Sequence, residues 1–185
     1  MNQQNSQLGL IHYYFGDGKG KTTTLIGEII RAHGHQLKPL LIQFLKLHDA
    51  TRNHSGYFMG EIDFLKDIIP IEQFGAYHFV YSADKASDDD KMRAKKGFEY
   101  AKRAILSSNY DIVALDEIID VIALNLINLD EFVELLRTKP NHVEVICTGY
   151  KFIKQISDIA DYVIEFKCEK HPFTQGINAR PGIEF

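Results

Sequence analysis

"GLIHYYFGDGKGKTT", residues 9–23, decides the fold. An apolar run (GLIHYYF, 9–15) gives way to three closely spaced glycines, and KTTTLIGEIIRAH (21–33) then carries apolar residues at helical period. That order is strand, glycine loop, helix. Such a loop aims several backbone N–H groups and the positive end of a helix at one point, where an anion can sit. The common phosphate-loop pattern, G-x-x-x-x-G-K-[ST], counted back from Gly20, Lys21 and Thr22, would put its first glycine where Phe15 stands. Gly16 is the nearest glycine, so the loop is short by one residue.

The residue types fit a magnesium-nucleotide site. Gly16, Gly18 and Gly20 permit close approach of the backbone to phosphate, and Asp17, Lys19 and Thr23 complete the cradle. Lys21 brings a charge to phosphate oxygens, and the hydroxyl of Thr22 is placed to ligate magnesium. A basic turn that only caps a helix is the alternative. The second half of such a site is an acid at the end of another apolar strand. DIVALDE (111–117) supplies Asp116 and Glu117, one of which is expected to hold the metal. Which of the two does so is open, and an Asp after a strand also serves as a plain helix cap.

Working outward, KPLLIQF (38–44), IIPIEQF (68–74), DIVAL (111–115), VEVICT (143–148) and DYVIEF (161–166) read as further strands. Pro39 is tolerable only at a strand start. Ser87 followed by three aspartates predicts a capped helix from 88 to about 107, with Ala94, Phe98, Ala101 and Ile105 as its buried stripe. Asn128 is expected to cap a helix in NLDEFVELL. The stretch 46–60 is polar, rich in histidine and without a period. Strands separated by helices call for an α/β fold: a single-domain P-loop (RecA-like) architecture with a mostly parallel sheet, helices on both faces and ligands at the carboxyl ends of the strands.

Length and composition agree with one domain spanning 1–185, because 185 residues with 45% hydrophobic content suffice for one full core. A net charge of −4 argues against a general nucleic-acid or membrane-surface role. Cys147 and Cys168 form no C-x-x-C pair, so neither a disulfide framework nor a zinc knuckle is expected. The N-terminus lacks a charged, apolar leader, and no stretch is long enough for a membrane span, which points to the cytoplasm. Residues 1–8 are expected to be flexible, and no histidine-bound metal is assigned.

Three features together resemble the corrinoid adenosyltransferases, also called cob(I)alamin adenosyltransferases: the short GDGKGKTT loop, IQFLK (42–46), and the ending KHPFTQGINARPGIEF (170–185). RAHGH (31–35), LDE (115–117) and TGY (148–150) follow the family's order across residues 9–185. The chain departs from the family pattern at Leu47, Tyr81 and Tyr150. The resemblance implies transfer of the 5′-deoxyadenosyl group of ATP to a reduced corrinoid, a cob(I)yrinic acid a,c-diamide or cob(I)alamin, with cobalt(I) attacking the ribose 5′ carbon and expelling triphosphate. ATP is then held reversed relative to most phosphate-loop proteins, which accounts for the short loop. Lys21 and Glu117 become the catalytic residues, with magnesium on Thr22 and Asp116 or Glu117. Phe79 and Tyr81 align with aromatics that approach the corrin, and residues 168–185 with a tail over the site. The resemblance also implies a homodimer, and a flavin-type protein is a candidate reductant. A kinase or ATP hydrolase, and a non-catalytic nucleotide-dependent corrinoid carrier, are the alternatives.

Overall fold

The computed structural model describes residues 8–53, 58–78, 80 and 82–185. Its strands are β1 (Ile11–Phe15), β2 (Pro39–Phe44), β3 (Ile71–Phe74), β4 (Ile112–Asp116), β5 (Glu144–Thr148) and β6 (Tyr162–Glu165). The helices between them are α1 (Lys21–Gly34), α2 (Gly60–Leu65), α3 (Asp88–Leu106), α4 (Ile118–Ala123), α5 (Leu129–Thr138) and α6 (Lys154–Ser157). All six strands join one sheet in the order β3-β2-β4-β5-β1-β6, and every pairing is parallel.

A parallel sheet with helices on both faces needs central strands that are apolar on both sides. PLLIQF of β2 and IVALD of β4 are buried at every position. On one face, Phe98 and Ile105 of α3 and Phe132 of α5 pack with Leu40, Val113 and Val145. On the other, Leu25 and Ile29 of α1 and Leu65 of α2 pack with Tyr14, Leu41 and Ile146. Each side chain buried in this way contributes roughly 1.5–3 kcal/mol.

Helix ends follow their caps. Ser87 accepts from the backbone N–H of Asp90 at 3.1 Å, and Asp90 in return accepts from the backbone N–H of Ser87 at 2.9 Å. That reciprocal box starts α3 where the sequence predicts it. Asn128 accepts from the backbone N–H of Glu131 at 3.0 Å and starts α5.

Three helices were not legible in the sequence, α6 among them with only four residues. In α4 the residues Ile118, Ile119, Val121 and Ile122 are all buried, so no polar face marks its period. α2 is a six-residue helix with two buried positions, too short for a periodic signal. The third strand is also shorter than IIPIEQF suggests, because the N–H groups of Ile68 and Ile69 donate to the carbonyl of Leu65 and close the turn after α2.

Register decides where chemistry can happen. Gln43 lies opposite Asp116, and Tyr14 opposite Thr148. The carboxyl ends of β1, β2, β4 and β5 therefore come together, each followed by a loop. Among the described residues no helix is long and apolar enough to cross a membrane.

Candidate functional site

The turn after β1 is built against the end of β6. The N–H of Gly18 donates to the carbonyl of Phe166 at 2.6 Å, and the N–H of Gly16 donates to the carbonyl of Tyr150 at 3.1 Å. Gly16 and Gly20 have φ of 115° and 125°, which L side chains rarely adopt. A Cβ on Gly18 would come within 2.7 Å of the Phe166 carbonyl group, so this glycine is required by close approach rather than by φ. Gly20 forms the N-cap of α1, and the backbone N–H groups of the first turn keep their direction along the helix axis.

Side chains complete the loop. The ammonium of Lys21 donates to the carbonyls of Gly16 at 2.6 Å and Gly18 at 3.0 Å, spanning the turn. Asp17 accepts from the backbone N–H of Cys168 at 2.9 Å, tying the loop to the segment after β6. Lys19 lies 3.5 Å from the carboxylate of Glu184 and also donates to the carbonyl of Ile183. Arg180 grips the same carboxylate through Nε at 3.2 Å and its terminal nitrogen at 3.1 Å.

Beside the loop, Asp116 is fully buried at the end of β4. One of its oxygens accepts from Thr22 Oγ1 at 2.9 Å and Thr148 Oγ1 at 2.7 Å. The other accepts from Gln43 Nε2 at 3.0 Å and Lys46 Nζ at 2.6 Å. A buried carboxylate requires this many donors, because leaving it unsolvated would cost several kcal/mol. Lys46 also reaches Thr22 Oγ1 at 3.0 Å and Glu117 Oε1 at 3.2 Å.

Glu117 follows in the left-handed region, at φ 64°, and its N–H donates to Thr148 Oγ1 at 2.9 Å. A residue that is neither glycine nor asparagine is uncommon there, and here it turns the carboxylate back over the strand ends. Burial pushes the Glu117 pKa up, but the Lys46 charge beside it, with help from Asp120 and Lys21, holds it down at about 2. Asp120 shows the reverse: burial first, then its hydrogen bond to Glu117, raise it to about 8. For Lys46, burial opposes the charge, and the two carboxylates outweigh it and keep the ammonium protonated.

The structure thus brings the loop Gly16–Gly20 and the first turn of α1, with Lys21 and Thr22, beside Asp116 and Glu117, while Thr23 faces a cavity of about 580 Å³ shared with Thr22, Lys46, Met59, Ile183 and Phe185. Phe79 and Tyr81 lie outside the described residues. Sequence reading passed over Lys46, Gln43, Thr148 and Asp120 as site residues. Gln43 carries a signal in retrospect: a polar side chain amid PLLIQF, with no exposure, must have a polar partner.

Comparison with known proteins adds the family. Residues 7–185 match the family described as ATP:corrinoid adenosyltransferase BtuR/CobO/CobP. The chain is 31% identical over 183 residues to the corrinoid adenosyltransferase of Escherichia coli K12, covering 99% of this chain and 89% of that one. It is 32% identical over 190 residues to the corrinoid adenosyltransferase of a Sinorhizobium species, covering 100% and 84%. A 30% match over 183 residues links it to corrinoid adenosyltransferase CobA of Salmonella typhimurium, covering 99% and 89%.

Proposed function

The chain belongs to the ATP:corrinoid adenosyltransferase family, and we propose that its active site lies where the phosphate loop meets Asp116 and Glu117. It is a transferase. The cobalt(I) of a reduced corrinoid donates an electron pair to the ribose 5′ carbon of ATP, a cobalt–carbon bond forms, and the carbon–oxygen bond breaks with its pair leaving on triphosphate. The product is adenosylcobalamin or another adenosylcorrinoid. No proton has to move at the reacting atoms, so this chain's contribution is positioning and charge.

The observation that carries the site assignment is the 2.9 Å hydrogen bond from Thr22 to Asp116, which joins the short loop to the acidic strand end. In this reading, Gly16, Asp17, Gly18, Lys19, Gly20, Lys21, Thr22 and Thr23 hold the triphosphate. Lys21 leaves the loop carbonyls for the phosphate oxygens. Glu117, turned over the strand ends by its left-handed backbone, orients the cation-binding groups.

The donor set fits magnesium: a hydroxyl and two carboxylates, all hard oxygen donors, already converge on one cation, the Lys46 ammonium. Bound by Thr22 with Asp116 or Glu117, magnesium would supply positive charge to the departing triphosphate. The tail 168–185 covers the site in this reading, supported by Ile183 and Phe185 at the cavity and Glu184 at Lys19. The chain acts as one domain. Phe79 and Tyr81 near the corrin, a homodimer and a flavin-type reductant protein rest on sequence resemblance, and a cytoplasmic setting is carried over from the sequence's N-terminal and apolar pattern.

Product analysis tests the function. With ATP and cobalamin under reducing, oxygen-free conditions, the expected products are adenosylcobalamin and triphosphate in equal amounts. ADP in their place would indicate phosphoryl transfer, and tight binding without turnover would indicate a carrier.

A further inference from the structure

Asp120 lies in the first turn of α4, three residues after Glu117, in a run that is otherwise apolar (IIDVIA). Nothing in the proposed chemistry uses it, yet a carboxylate in such a place is costly unless its oxygens are engaged. Both are. The N–H of Tyr150 donates to Oδ1 at 2.9 Å and to Oδ2 at 3.1 Å.

Tyr150 is the next link. Its carbonyl accepts from the N–H of Gly16 at 3.1 Å, and the neighbouring Gly149 N–H donates to the carbonyl of Tyr14. The turn at 149–150 is pressed onto α4: a Cβ on Gly149 would come within 3.0 Å of Asp120 Oδ2 and 2.5 Å of Ile119 Cβ. Asp120 therefore stands between two parts of the site that come from opposite halves of the chain. One is the acidic strand end, and the other is the first glycine of the phosphate loop.

We propose that Asp120 is a positioning residue for adenosyl transfer: through the main chain of Tyr150 its carboxylate fixes the Gly16 end of the phosphate loop. This rests on the assignment of that loop to the triphosphate. Asp120 touches neither substrate. Its effect travels through the two hydrogen bonds accepted from the Tyr150 N–H, and an amide keeps one of them, accepting with Oδ1. An alanine can make neither.

The test compares wild type, Asp120→Asn and Asp120→Ala by steady-state kinetics and by calorimetric titration with ATP. The alanine variant is expected to lose at least about tenfold in kcat/KM for ATP, with weaker ATP binding and an unchanged KM for the corrinoid, since small misplacements of positioning groups are costly. Asp120→Asn is expected to stay within about threefold of wild type in both measurements. If the alanine variant does not yield folded protein, Asp120→Ser, one atom shorter and unable to accept from the Tyr150 N–H with two oxygens, takes its place. An alanine or serine variant with wild-type ATP binding overturns the proposal, as does an asparagine variant impaired as badly as alanine. A uniform fall in kcat with both KM values unchanged marks a loss of folded enzyme and overturns it too. A wild type that makes no adenosylcorrinoid overturns the functional reading along with it, whereas an active wild type beside an unimpaired alanine variant overturns the role of Asp120 alone.

Discussion

Lys46 Nζ lies 2.6 Å from Asp116 Oδ2 and 3.2 Å from Glu117 Oε1, so a single ammonium bridges the two carboxylates of the site. Asp116 has no solvent exposure, and Lys46 is its only charged partner among the described residues. Removing one member of a buried pair leaves the other uncompensated, at a cost of about 3–5 kcal/mol. Lys46→Met is expected to lose stability of that order in urea unfolding, softened by the three neutral donors that Asp116 keeps. The double variant Lys46→Met with Asp116→Asn is expected to recover part of the loss.

Thr22 donates to Asp116 and accepts from Lys46. If the same hydroxyl holds magnesium during turnover, Thr22→Ala lowers kcat by about 100-fold, the scale seen when one preorganised group is lost. It also raises the magnesium concentration needed for half-maximal rate. Thr22→Ser retains the hydroxyl and is expected to stay within about threefold of wild type. Magnesium titrations of the three chains check this.

Gly16 combines a φ of 115° with a Cα turned toward the Phe166 carbonyl. Gly16→Ala is strained by backbone and by contact alike, so the loop opens away from β6. ATP affinity is expected to fall at least about tenfold, while burial elsewhere keeps the fold intact. Calorimetric ATP titration alongside circular dichroism separates the two effects.

Glu144 anchors the start of the first strand. It accepts from the N–H groups of Gly9 at 2.6 Å and Leu10 at 2.7 Å, and His12 Nε2 lies 2.7 Å from its other oxygen. Burial raises its pKa, but the bonds from His12 and the two N–H groups outweigh that and hold it below the ordinary value. A carboxylate depressed in the folded state stabilises above its unfolded pKa, and that stability is lost as pH falls through the folded value. The melting temperature is therefore expected to drop on acidification below the usual glutamate range, and to drop less in Glu144→Gln.

Gly97 on α3 faces Phe44 and Phe74, where a Cβ would meet both rings at 2.8 Å. Gly97→Ala gains about 1 kcal/mol of helix propensity but overpacks the sheet, which costs about 1–3 kcal/mol. A modest net loss of stability is expected by thermal unfolding.

Much of this architecture was legible in the sequence because the strands are continuous apolar runs and the major helices announce their caps. Ser87 and Asn128 start α3 and α5 as their side chains predict. The loop and the acids were legible for the same reason, since glycines, lysine and LDE have few bland uses in that order. Lys46, Gln43 and Thr148 were not, because only the pairing of β2, β4 and β5 sets them beside Asp116, and pairing is a non-local fact. Asp120 was hidden by its apolar neighbours, which also conceal the helix that carries it.

The central claim is that the bond broken lies at the sugar end of ATP. It is tested most directly with ATP carrying isotopically heavy oxygen at the position bridging the ribose 5′ carbon and the α-phosphorus, incubated with cob(I)alamin, magnesium and the enzyme. Mass spectrometry of the phosphate products is predicted to find the label in intact triphosphate, with unlabelled adenosylcobalamin formed in equal amount. Release of inorganic phosphate and labelled ADP, with no cobalt–carbon product, would contradict the account.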